Sequence, residues 1–181
     1  MKLEQLLSQK GPGILGKWLN LALETYPSDA HRFLKKQKDR FANPVGTTIE
    51  REIKSLYEEL LREIDPERVS PILDRIVRIR AVQEFSPSQA VAFIFSLKYL
   101  VRRELEKELR ENELFDDLPG FEARVDEVGL LAFDIYMKCR EKLYEIRARE
   151  ARAEVSGLLR KAGMIGMVPV WKAGIEKDNG G

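Results

Sequence analysis

The chain has 181 residues, 44% of them hydrophobic, and its 31 basic and 30 acidic side chains leave a net charge of +1. That length suits one domain with a sizeable core, and the near-neutral balance gives no global attraction for nucleic acid or an anionic membrane. One cysteine, Cys139, excludes a disulfide framework or a cysteine-based metal centre within one chain.

Residues 3–9 read as a short helix halted by Gly11-Pro12-Gly13. A second helix runs from Ile14 to Tyr26, with Leu15, Trp18, Leu19, Ala22 and Tyr26 on one broad side, and Pro27 ends it. Ser28 caps a third, with Ala30, Phe33, Leu34 and Phe41 inward, before Asn43-Pro44 breaks the chain. Thr47 with Glu50 three residues on is a capping box, opening a helix whose Ile49, Ile53, Leu56, Leu60 and Ile64 form an apolar stripe. Asp65-Pro66 restarts the chain as N-cap and first helical residue, and Val69 to Phe85 continues it as helix.

Ser86-Pro87-Ser88-Gln89 is a second capping box with proline at the first helical position. The helix it starts is apolar around most of its circumference from Ala90 to Val101, broken only by Ser96 and Lys98, and the spacing carries it to about Asn112. Such a helix is the one around which others pack. Asp116 to Gly120 has loop composition. From Phe121 onward Val125, Val128, Ala132, Ile135, Cys139, Leu143 and Ile146 alternate at three and four, predicting a long final helix to about Ala162. This seam fits either core or a homodimer contact, with core the reading for its first half. No period-2 run bounded by turns appears. The expected fold is all-α: a single helical, bundle-like domain of about seven helices over residues 1–162, followed by a non-helical apolar tail over 163–181.

Three polar residues fall where apolar ones are expected. At about 100° per residue, Arg80 and Gln83 lie inside the apolar arc set by Ile72, Leu73, Ile76, Val77 and Ile79, and Lys98 lies inside that of its own helix. Inward cations need partners. One reading is a pocket for a small anionic ligand, with Arg80 as bidentate donor, Lys98 as point charge and Gln83 beside them. The other is that they snorkel or meet core-edge carboxylates such as Glu52 or Glu104. In the tail, Met164, Ile165, Met167, Val168, Val170 and Trp171 are too apolar for a solvated end and too broken for an amphipathic helix, so they are candidate partner-binding residues.

His31 is the only histidine, so no multi-histidine metal site forms within one chain, and no metal or other cofactor is expected. No nucleophile-plus-base pair, glycine-rich phosphate loop or paired-carboxylate motif occurs, so no catalytic role is expected. The start MKLEQLLSQK puts Glu4 and Gln5 where a signal peptide needs its apolar run. The longest apolar run falls short of the roughly 20 residues that span a bilayer. A cytoplasmic location follows as the expectation.

At Ile14-Leu15-Gly16-Lys17-Trp18, Tyr26-Pro27, Lys38 to Gly46 (KDRFANPVG) and Ile76 to Pro87 (IVRIRAVQEFSP), the chain resembles the N-terminal domain of the RsbT co-antagonist RsbRD-type proteins, over roughly residues 10–150. The resemblance implies a helical, globin-like sensory domain, generally without haem, placed before a STAS domain in stressosome signalling. A stand-alone member is expected here, since no STAS sequence follows in these 181 residues. Phosphorylation output and stressosome assembly are therefore not carried over. Stand-alone members look similar to small proteins associated with anaerobic sulfur respiration. The resulting expectation is a non-catalytic sensor or adaptor that responds to a small ligand or a partner and binds another protein. The alternative is an assembly chaperone for a redox enzyme subunit.

Overall fold

The computed structural model describes residues 2–26, 28–36, 41–83 and 85–163. The described residues form α1 (Leu3–Glu24), α2 (Ser28–Lys36), α3 (Pro44–Leu60), α4 (Pro66–Val82), α5 (Pro87–Glu104), α6 (Glu106–Glu111), a 3-10 turn (Phe115–Asp117) and α7 (Leu118–Lys161). The fold is all-α, and no strand occurs among the described residues. No helix among them is long and apolar enough to cross a membrane. By its contacts the chain divides into two units, residues 1–141 and 142–181.

Within the first unit α3 packs along α4, and α1 lies against α5 while also touching α2 and α3. Apolar spacing decides which faces meet. Ile49, Ile53, Leu56 and Leu60 of α3 are buried at four- and three-residue intervals, as are Val69, Leu73, Ile76 and Arg80 of α4. α5 buries Ala90, Phe93, Ile94, Leu97, Leu100 and Val101, but Ala92 and Tyr99 are exposed, so it is packed on one side and not enclosed all round. Trp18 of α1 is fully buried and donates its indole N–H to the carbonyl of Phe93 at 2.7 Å, so its one polar atom is satisfied inside the core.

Three boundaries differ from the sequence reading. Gly11-Pro12-Gly13 does not halt α1, which runs through Pro12. Gly11 has no Cβ to crowd the following proline, and one added there would stand 3.2 Å from the Tyr57 ring. The helix continues because Leu7, Ile14 and Trp18 on either side are buried, with the Tyr57 hydroxyl donating to the Leu7 carbonyl at 2.9 Å. α3 starts at Pro44 under an Asn43 cap, three residues before the Thr47 box. The Asn43 side chain accepts from Gly46 N at 2.9 Å and donates to Leu34 O at 2.8 Å, fastening the end of α2 to the start of α3. Leu118-Pro119-Gly120 is the first turn of α7 rather than a loop, with Leu118 fully buried and proline at a first-turn position.

Two further departures concern burial and helix continuity. Phe33 and Phe41 are exposed rather than inward. The helix read as Pro87 to Asn112 bends at Leu105, which closes α5 and precedes α6 while both Leu105 and Leu109 stay buried. In α7, Val125, Val128, Ala132 and Tyr136 are buried, then Cys139 and Leu143 are half-buried and Ile146 is exposed. The seam is core for its first half and fades beyond it. Gly129 lets the Phe95 ring of α5 approach α7, where an added Cβ would collide with the ring tip.

Candidate functional site

Arg80 stands in the last turn of α4 and is completely buried. Its position follows from helical spacing, since Ile76, Val77 and Ala81 share its inward face. Nη2 donates to the Ala22 carbonyl at 2.7 Å; Nη1 donates to Thr25 Oγ1 at 3.1 Å and to the Gln89 carbonyl at 3.2 Å. Three rings enclose the guanidinium, with Cζ 4.7 Å from the Phe93 centroid, 5.2 Å from Phe85 and 5.4 Å from Tyr26. The Tyr26 and Phe85 rings meet edge to face at 5.0 Å. These are favourable but neutral surroundings for a cation.

No carboxylate pairs with Arg80 among the described residues. Its Nε–H has no acceptor, and the Tyr26 hydroxyl, also buried, has no partner. Burial pulls the guanidinium below its ordinary pKa, with Tyr26 acting weakly the other way. Burial likewise raises the Tyr26 phenol, opposed by the charge of Arg80.

The three polar residues read as inward are not gathered into one site, and only Arg80 is buried. Gln83 is exposed and acts through its backbone as the C-cap of α4. Lys98 is part-buried and pairs with Asp126 of α7 at 2.5 Å, with its ammonium 5.9 Å from the Phe95 ring. The carboxylates named as partners serve other cations: Glu52 is held by Arg51 and Arg75, and Glu104 by Lys17 and Arg103. His31 is half-buried on α2, with Nε2 lacking a partner. No group of three or more His, Cys, Asp or Glu suited to a metal ion occurs among the described residues. Met164, Ile165, Met167, Val168, Val170 and Trp171 lie outside them.

The aromatic cage was not legible as a site beforehand. Thr25, Tyr26 and Phe85 occupy helix-end turns, and Phe93 reads as ordinary core of α5. The available signal was that the Arg80 arc places a cation in the core while Tyr26 and Phe85 flank helix ends. The turn between α4 and α5 is also gripped from α7. Tyr136 donates its hydroxyl to the Phe85 carbonyl, and Arg140 Nη1 donates to the Ala81 carbonyl at 3.1 Å. One short turn thus carries the Phe85 ring against Arg80 and the Phe85 carbonyl against Tyr136.

Comparison with known proteins gives three findings. The chain is 32% identical over 108 residues to an uncharacterized protein of Archaeoglobus fulgidus (strain ATCC 49558 / DSM 4304 / JCM 9628 / NBRC 100126 / VC-16), an alignment covering 59% of this chain and 64% of the relative, which is under two thirds of that protein's length. No solved structure matches it. Residues 12–151 match the family described as RsbT co-antagonist protein rsbRD N-terminal domain, a regulatory, signalling-related family. The match takes in α3 to α6, most of α1 and α7, and every residue of the Arg80 cage: the chain belongs to the rsbRD N-terminal domain family.

Proposed function

We propose that this chain is a non-catalytic sensor or adaptor. Its helical body, residues 1–162, responds to a small ligand or a partner, and its tail, residues 163–181, engages another protein through Met164, Ile165, Met167, Val168, Val170 and Trp171. The observation that carries the reading is the buried Arg80, a charged group sealed in the core with unused donors beside it. A core designed only for stability gains little from a lone buried cation, because desolvation costs several kcal/mol per ion. Retaining one at a turn gripped by α7 supports a signalling role: a change at the guanidinium moves Phe85, and Phe85 is tied to Tyr136. Family membership supports the same direction. A cytoplasmic site of action and a link to anaerobic sulfur respiration belong to this proposal; the latter rests on the family resemblance.

Affinity purification of the full-length chain, and of a version ending at Gly163, followed by mass spectrometry tests it. A stable partner lost on truncation is the expected result and makes the tail the output. An unchanged partner list with reduced thermal stability would overturn the adaptor role. Capture of an immature redox subunit, absent from its mature complex, would favour an assembly chaperone instead.

A further inference from the structure

A guanidinium has five N–H donors, and three of those of Arg80 have protein acceptors, on Thr25, Gln89 and Ala22. The Nε–H and one N–H of Nη2 remain, and Nε is sealed from solvent. Tyr26 adds a third unused donor from the same cage, its ring 5.4 Å from Arg80 Cζ and its hydroxyl also sealed from solvent. Among the described residues the cage therefore has a surplus of donors and one positive charge, without an acceptor for the remaining donors or a negative charge. Buried polar groups are almost always satisfied, and a buried charge without a counter-charge is strongly disfavoured. Both deficits are removed by one group.

We infer that the Arg80 cage binds a small monovalent anion, which accepts hydrogen bonds from Arg80 Nε and Tyr26 Oη. The charge is fixed by the surroundings. Lys98, the other inward cation, is neutralised by Asp126, so a dianion would exchange one uncompensated charge for another. Enclosure limits size, since Arg80, Tyr26 and Phe93 are all buried, so the class proposed is a halide or an oxyanion of a few atoms. A planar oxyanion matches the remaining Nε and Nη2 donors best. This deepens the sensor reading by naming the class of its ligand. Its test reads binding alone, so it and the partner experiment can fail separately.

Thermal unfolding in potassium gluconate, with potassium nitrate replacing gluconate at constant ionic strength, is the experiment. Nitrate lacks the surface exclusion by which sulfate-like salts stabilise proteins, so a saturable rise in Tm reports a site. The expected result is such a rise in the wild type, a midpoint at roughly ten-fold higher nitrate in Tyr26→Phe through one lost hydrogen bond, and no saturable response in Arg80→Met. Should Arg80→Met fail to fold, Tyr26→Phe and the position of bromide in bromide-soaked crystals decide. Bromide beside Arg80 supports the site. No saturable rise, an equal rise in the variants, or bromide only elsewhere would overturn it. So would a response appearing only in Glu84→Gln, because the missing acceptor would then be the chain's own carboxylate.

Discussion

Glu52 on α3 is only 2% exposed, and its carboxylate is held by Arg51 at 2.7 Å and by Arg75 of α4 at 2.8 Å, while the side chains of those arginines are 56% and 45% exposed. The pair of arginines and the carboxylate therefore differ in what they face when a partner is lost. Changing both arginines to Met keeps their stems but strands a buried anion, a loss of about 3–5 kcal/mol. In Glu52→Gln the arginines turn to water. That loses two charge-assisted hydrogen bonds of about 1.5–3 kcal/mol each but removes a desolvation cost of several kcal/mol, for a net loss of about 1–2 kcal/mol. Urea unfolding at pH 7, followed by helical circular dichroism, should rank the double arginine variant below Glu52→Gln. The pH dependence separates them further. Burial, the largest single influence, pushes the Glu52 pKa up, yet the hydrogen bonds and charges of Arg75 and Arg51 together bring it below its ordinary value. Its stabilisation is thus present above the unfolded carboxylate pKa of about 4.3 and lost as pH falls through the lower folded value. The deficit of Glu52→Gln should shrink as pH falls from about 5 to 3. The double arginine variant, its carboxylate buried without a partner, should recover stability on acidification. Equal losses in the two variants, or a Gln variant the less stable, would refute the reasoning.

Gly129→Ala should destabilise the protein by about 1–3 kcal/mol through overpacking against Phe95. In a Phe95→Ala background the same change should become stabilising by up to about 1 kcal/mol, the helix propensity gained over glycine; a cost of the same sign in both backgrounds would count against that contact. Ser86→Ala removes the cap accepted from Gln89 N at 3.3 Å and should cost about 1 kcal/mol, read as a shift in urea midpoint at constant m-value.

The elements written into local chemistry were legible. Ser86-Pro87-Ser88-Gln89 and Asp65-Pro66 start helices where the capping rules place them, and Ile49, Ile53, Leu56 and Leu60 of the apolar stripe are buried as their spacing requires, while Ile64 lies beyond the end of α3 and is half-buried. Gly11-Pro12-Gly13 was misleading because a local helix breaker was outweighed by burial on both sides of it. Asn43 was overlooked as a cap because the Thr47 box offered a competing start of equal local quality. At the candidate site, an inward Arg80 could be read from periodicity. Its separation from Lys98 could not, since a wheel gives direction within one helix and nothing about which neighbour stands opposite.

By itself the sequence determined that this is an all-α chain, where most of its helices start, and that Arg80 faces its interior. Capping, proline placement and apolar periodicity are local properties that act within a few residues. Only the tertiary structure decided which charges are paired. Glu52 meets Arg51 and Arg75, Lys98 meets Asp126, and Arg80 meets three rings and neutral acceptors. Most of these partners come from separate helices, so their encounter is set by how apolar faces pack and not by any spacing along the chain.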